Sequence, residues 1–499
     1  MSLIQILVFT ASASVFGTLA LAVARSGLER WRNAVRAARP WLMLAAGVIA
    51  LYWLQPSTPI RHLDFWLPTA TLALVGLIWT VTSRPRPIDI PTTLVTASVV
   101  AGLVLLIGAT RYIDALCCLT PSRPPEATAI LVVVLAIVAL CAGFGQFLAG
   151  ARQLNAALLV MVLGVFVVLK TEPLGAGLSA LLRSLSGQSV AQASAFDVSW
   201  LGFSYIAFRL IHVLRDHAAG RLPALSLREF VIYVLFFPAL VAGPIDRAER
   251  FVKDVRTWDA APEQIDARAE DVSAGLQRIF IGLFKKFALA DTLALIALNP
   301  TNAGQVQTAG WAWVLVYAYA FRLYLDFSGY TDIAVGMGRL FGVRLPENFD
   351  RPYLRPNLTL FWNSWHMTLA NWFRAYWFNP LTRWLRTRSI GRDASRVILI
   401  GQTSTMLLIG LWHGVAWNFA LWGVWHALGL FIHNRWSAWM RARSANADLP
   451  STPTSVWRTR AVAAFNIALT FHFVALGWVW FVLPDVGQAL DLFATLFGG

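Results

Sequence analysis

Apolar positions in this chain fall in long uninterrupted blocks, not in alternation. Blocks cover 3–24, 40–54, 65–82, 91–110, 128–149 and 154–170, then 199–214, 229–243, 275–298, 309–325, 398–418, 420–434 and 460–482. In lipid every backbone polar group needs an internal partner, so blocks of this kind fold as helices. A membrane β-barrel would instead show short alternating segments. An upright span needs roughly 20 residues, so the shorter blocks are expected to be buried, re-entrant or half-spanning. The pattern predicts an all-α polytopic membrane protein of about 11 transmembrane helices with re-entrant and interfacial helices between them. Two stretches interrupt it. Residues 246–271 are polar and charged and read as an amphipathic or loop segment on the cytoplasmic side. Residues 326–395 are dense in Trp, Arg, Asn and Pro. They are too polar to cross lipid upright and too aromatic to lie free in water, which places them in a protein-lined cavity or at the interface.

Composition supports the pattern. Of 499 residues, 57% are hydrophobic and only 13% charged, against about 25% charged in soluble domains. Mean hydropathy is +0.59. A soluble globule, a disordered chain and a fibrous repeat are all excluded. Net charge is +15, from 41 Lys and Arg against 26 Asp and Glu. The only lysines are Lys170, Lys253, Lys285 and Lys286. The basic residues sit in short connections between apolar blocks, where they set topology. Arg25, Arg30, Arg32, Arg36 and Arg39 mark one loop, Arg84 and Arg86 the next on that side, then Arg152, then Arg215, Arg221 and Arg228. The opposite stretch, 171–198, has only Glu172, Arg183 and Asp197. Alternate loops are basic, so the N-terminus is expected outside and the basic loops in the cytoplasm. No basic stripe suited to nucleic acid appears. The first block, 3–24, has no basic region ahead of it and reads as a retained span, not a cleaved signal. Cys117, Cys118 and Cys141 have neither metal-ligand nor disulfide spacing. No internal repeat is evident, which argues against inverted-repeat transporters.

Candidate chemistry concentrates in two aromatic segments, FWNSWHMTLANWFRAYWFNPL at 361–381 and LWHGVAWNFALWGVWHALGL at 411–430. His413 sits in an uncharged apolar run, where an ionisable residue is costly and points to function. A neutral imidazole, the form such a setting favours, is what a general base needs. Gly414 beside it permits close approach. From the residues alone, a histidine that only bonds between helices is the leading reading, and a catalytic one the alternative. His366 lies near Asn363, and on a helix Trp362 and His366 would share a face. A second polar anchor and an interfacial aromatic belt are both open for it. His426 follows His413 by 13 residues, about 20 Å on one continuous helix, so it reads as packing or support unless Gly423 breaks the helix. Lys285, Lys286, Asp291, Arg322, Asp326 and Asp332 are expected to pair across helices. The two strongest histidines are 47 residues apart and no His/Glu pair is spaced i, i+4, so no metal site is expected.

Four ordered blocks then carry a resemblance. They are FFPALVAGPIDRAERF (236–251), GLQRIFIGLFKKFALAD (275–291), YLDFSGYTDIAVGMGRLFGVRLPENFDRPY (324–353) and the paired histidine segments. The closing GWVWFVLPDVGQALDLF (477–493) fits as well. Together they resemble the membrane-bound O-acyltransferase family in its bacterial branch of alginate O-acetylases and teichoic acid D-alanyl transfer proteins. The likeness covers roughly 200–495. It implies N-terminal transmembrane helices at 1–198 and a catalytic core at 199–499 around a central tunnel. It also implies that His413 is the family's invariant catalytic histidine and His366 its second histidine. Two positions depart from the pattern: Ala375 stands where the family usually has an acidic residue, and Val482 where Arg often follows.

What the resemblance implies is acyl transfer, acetyl in the favoured reading, to hydroxyls of an exported polysaccharide or envelope glycan. His413 would act as base. His366 or Asn363 would steady the oxyanion or donor, and Trp362 and Trp417 would contact substrate. No bound cofactor is expected. The donor would be acetyl-CoA or an acyl-carrier thioester from the cytoplasm, and a partner protein outside would complete transfer. The setting would be a bacterial cytoplasmic (inner) membrane. D-alanyl transfer is the first alternative. A transporter using the buried charges, and a non-catalytic scaffold, are the alternatives of another class.

Overall fold

The computed structural model describes residues 3–25, 29–83, 89–113, 119–147, 152–260, 265–388, 393–445 and 455–499. Cys117 and Cys118 lie outside them, as do Arg84 and Arg86. Every regular element among the described residues is helical. Eight helices are long and apolar enough to cross a membrane: Leu3–Ala22, Glu29–Trp53, Leu63–Ser83, Ile90–Tyr112, Ala127–Phe144, Gln153–Lys170, Ala394–His413 and Val456–Val482. The chain is a multi-pass membrane protein; these eight are counted by length and composition among the described residues, against about 11 expected.

Several of the expected blocks are built differently from a plain span. The block 229–243 yields only the eight-residue helix Leu227–Val234, because Pro238 cannot continue it and a 3₁₀ turn, Phe237–Ala239, follows. The block 199–214 becomes the 16-residue helix Phe203–Ala218, buried along most of its length. The block 275–298 ends its helix at Leu283 and passes into a π-helical turn, Phe284–Ala290. Two further boundaries move. The basic stretch 25–39, expected as a loop, is helical from Glu29 onward. The block 309–325 continues to Leu340 as a 32-residue helix, so Asp326 and Asp332 lie on a helix and not in an irregular segment.

The chain divides into two compact units, residues 1–281 with 332–346, and residues 282–331 with 347–499. In the first unit, polar residues within apolar helices close on the backbone. Thr69, Thr71 and Thr82 each bond the carbonyl four residues back, the ordinary way to satisfy a hydroxyl in an apolar setting. Asp89 caps the next helix by accepting from the Thr92 amide, with Pro91 in its first turn. Arg39 is 0% exposed. It donates to the Phe341 carbonyl through Nε and Nη2 (2.9 and 2.6 Å) and to the Val255 carbonyl through Nη1 (3.3 Å). In 171–198, Arg183 and Asp197 form a buried pair (2.8 Å) that Ser179 completes by donating at 2.6 Å. Arg278 meets Asp332 at 2.7 Å, so Asp332 pairs across helices, with a partner outside the set the sequence suggests.

In the second unit, Lys286 pairs with Asp326. The long helices Ala394–His413 and Trp417–Ala445 form a tight hairpin. A Cβ on Gly410 would sit 2.3 Å from the Phe419 carbonyl, and one on Gly423 would sit 2.8 Å from that of Met406. Only glycine lets the two backbones approach this closely.

Candidate active site

His413 ends its helix. Asp393 caps the other end by accepting from Ser395 and Arg396 amides at 2.8 and 3.3 Å. The chain leaves the helix at Gly414 in an extended conformation and re-enters one at Trp417. The break between His413 and His426 is therefore at 414–416, and Gly423 serves close packing. The His413 ring is half-buried. Trp412 (4.4 Å between centroids), Phe481 (4.7 Å), Phe419 (5.9 Å) and Trp422 (5.9 Å) surround it. Phe481 comes from the helix Val456–Val482, next to the departure at Val482. An imidazole at a helix break, walled by rings yet partly open, can exchange a proton with a substrate while water is restricted.

His366 is built differently. It does not continue the helix Leu358–Trp362, so it and Trp362 do not share a helix face as the sequence suggests. It precedes Met367–Phe373 with φ 43° and ψ 51°, in the left-handed region. A non-glycine residue held there carries strain, and such strain gathers at functional sites. The ring is 3% exposed. Nδ1 lies 3.0 Å from Asn348 Oδ1, and Phe327 packs edge-on at 4.7 Å. Trp412 lies between the two histidines, 6.2 Å from His366 and 4.4 Å from His413.

The other predicted residues divide. Trp362 is 7% exposed and packs on His426 (5.2 Å) and Trp422 (5.8 Å). Asn363 accepts from Arg374 Nη2 at 2.7 Å. Both line a cavity of about 160 Å³ with Arg374, Gln402, Met406 and Ile409. Positions 402, 406 and 409 lie on the helix face whose next member, one turn on, is His413. Trp417 is 79% exposed, so the structure does not gather it into the ring cluster.

Sequence reasoning missed two members, Asn348 and Trp422. Asn348 is 0% exposed and touches His366. Trp422, 1% exposed, touches both His413 and His426 (5.9 and 5.0 Å). His426, which the sequence marks as packing or support, is 0% exposed, and among the described residues neither ring nitrogen has a hydrogen-bond partner. The signal for Asn348 was an amide inside the quoted block 324–353; it reaches His366 only through a chain reversal that the sequence pattern does not encode.

Comparison with known proteins follows the same blocks. A model of the membrane-bound O-acyltransferase family matches residues 149–476. The chain is 32% identical to the teichoic acid D-alanyltransferase of Bacillus subtilis over 285 residues, 57% of this chain and 69% of that protein. It is 34% identical over 298 residues to a Pseudomonas aeruginosa protein named "Probable alginate O-acetylase", covering 60% of this chain and 51% of that one. It is 32% identical to the peptidoglycan O-acetyltransferase of Helicobacter pylori over 271 residues, 54% and 46% of the two chains.

Proposed function

Because the chain belongs to the membrane-bound O-acyltransferase family, we propose that it moves an acetyl group from a thioester donor to hydroxyls of an exported polysaccharide or envelope glycan. The donor is acetyl-CoA or an acyl-carrier thioester on the cytoplasmic side, and the membrane is the bacterial cytoplasmic one. His413 accepts the hydroxyl proton as the oxygen adds to the acyl carbon. The C–S bond then breaks, and the proton passes from the imidazolium to the departing thiolate. Such base catalysis is typically worth about 10²–10⁴-fold. Asn363 keeps its oxygen on Arg374, which leaves its amide hydrogens to steady the oxyanion. Trp417, exposed just past the break, offers a flat face to a sugar ring. A partner protein outside completes delivery to the glycan.

The observation that carries this reading is His413 itself, half-buried at the end of its helix inside a ring cage. D-alanyl transfer to an envelope polymer uses the same proton path, and a relative named for it matches over a comparable share of the chain. The test is to release ester-linked acyl groups by mild base from envelope and secreted glycans of cells with and without the chain, and to weigh them. Loss of acetate supports the proposal, and loss of D-alanine selects the alternative. If neither ester changes, the glycan acceptor is wrong and a transport role comes forward.

A further inference from the structure

Asn348 and His366 are held together from both sides. The Met367 amide donates to the Asn348 carbonyl at 2.9 Å, and the Asp350 amide to the Ser364 carbonyl at 3.0 Å. This clamp brings 348–350 against 364–367 and fixes the left-handed backbone at His366. Within it, the Asn348 carboxamide has one orientation. Its Oδ1 accepts from the Thr368 amide (3.3 Å) and the Thr368 hydroxyl (2.7 Å), and its Nδ2 faces Thr331 Oγ1 at 3.5 Å. An oxygen that collects donors can only accept from His366 Nδ1 as well. The opposite ring nitrogen, Nε2, is buried and has no hydrogen-bond partner among the described residues.

We infer that Asn348 is the positioning residue of the second histidine: it holds His366 as the Nδ1–H tautomer, so that Nε2 is a hydrogen-bond acceptor for a hydroxyl of the acceptor sugar other than the one that attacks. This rests on the proposed acyl transfer and sharpens it. A neutral His366 in this tautomer cannot donate to an oxyanion through Nε2. Its task is to receive the O–H of a neighbouring, non-reacting hydroxyl of the acceptor and so aim the sugar, while His413 removes the proton of the attacking hydroxyl. Among the described residues, the side chains shown against the ring are uncharged: Phe327 from the helix Ala309–Leu340, Trp412 from Ala394–His413, and Asn348 from the clamp, itself bonded to Thr331 and Thr368. Asp326, beside Phe327, is paired with Lys286.

The experiment compares N348L and N348D with the intact chain in membranes, at matched amounts of inserted protein, measuring acyl transfer across pH. H413A runs alongside. N348L frees the ring to adopt the other tautomer and should lower kcat about tenfold with the donor KM unchanged, the scale of one buried hydrogen bond. N348D keeps an acceptor oxygen and so should retain activity at high pH. Its carboxylate favours the imidazolium, which has no lone pair at Nε2, so the acid limb of its pH profile should move to higher pH. If N348L fails to insert, the N348D profile alone decides. An N348D profile that matches the intact chain overturns the inference, as does an equal, pH-independent loss in both variants. Activity in H413A would instead overturn the reading of the site itself.

Discussion

In the first unit Arg39 and Arg209 are 0% and 2% exposed, and both direct their guanidinium groups at backbone carbonyls. In the second, His426 is equally buried and neither ring nitrogen has a partner among the described residues. The contrast extends beyond these residues. Among described side chains less than a tenth exposed, the polar atoms without a partner belong to the second unit: Ser328 Oγ, Trp362 Nε1, His366 Nε2, Asn418 Oδ1, Trp422 Nε1 and both His426 nitrogens. Each such atom costs about 1–3 kcal/mol. Buried polarity in the first unit holds the fold, as where Arg209 ties Val234 to Ala239 across the break after Leu227–Val234. In the second unit it is kept at a cost in stability, around the two histidines that resemblance assigns to chemistry. Among the described residues the first unit also holds partnerless buried atoms, Asn155 Oδ1 and the Nε of Arg36, Arg228 and Arg339, but on half-exposed side chains.

That contrast breaks most visibly at Arg209. Arg209→Leu removes the donors of two buried carbonyls and should cost about 2–5 kcal/mol, read as loss of inserted protein or of thermal stability in detergent. A variant as stable as the intact chain would remove the structural half of the comparison. Gly410→Ala comes next. Its Cβ would meet the Phe419 carbonyl at 2.3 Å, so the hairpin must open and His413 must move. The expected cost is about 1–3 kcal/mol in stability, with a larger fractional fall in transfer than in protein amount. His426→Leu sharpens the other half. It removes two unsatisfied nitrogens at similar volume, so stability should move by less than about 1.5 kcal/mol. Transfer should fall about tenfold, because Trp422 bridges His426 to His413. A fall in stability without a fall in rate would make His426 plain packing. The smallest effect is expected at Arg256, half-exposed and paired with Glu229 at 2.6 Å. Arg256→Ala should change stability by only about 0.2–1 kcal/mol, seen as a small shift in melting that shrinks further in high salt.

Much of this was legible in the sequence where a residue's type alone decides its fate. Long apolar blocks became helices because nothing else survives in lipid. Lys286 and Asp326 paired because isolated charges there are untenable. His366 and His413 stood out as ionisable groups in aromatic, uncharged company. What stayed hidden depends on chain reversal and close packing. The block 229–243 looked like a span, but Pro238 divides it. Trp362 and His366 looked like helix neighbours, yet the left-handed step at His366 separates them. Asn348 lies 18 residues from His366, and only the folded clamp reveals that its amide addresses the ring. Trp417 and Trp422 are alike in sequence, and only packing shows one exposed and the other in the cage.

The most direct test of the account is the rate of acyl transfer from a labelled thioester donor in membranes carrying His413→Ala, against the intact chain at equal inserted amount. The account predicts a loss of about 10²–10⁴-fold with normal insertion. A rate within a few-fold of the intact chain would contradict it, and would leave the ring cage around His413 without the role given to it here.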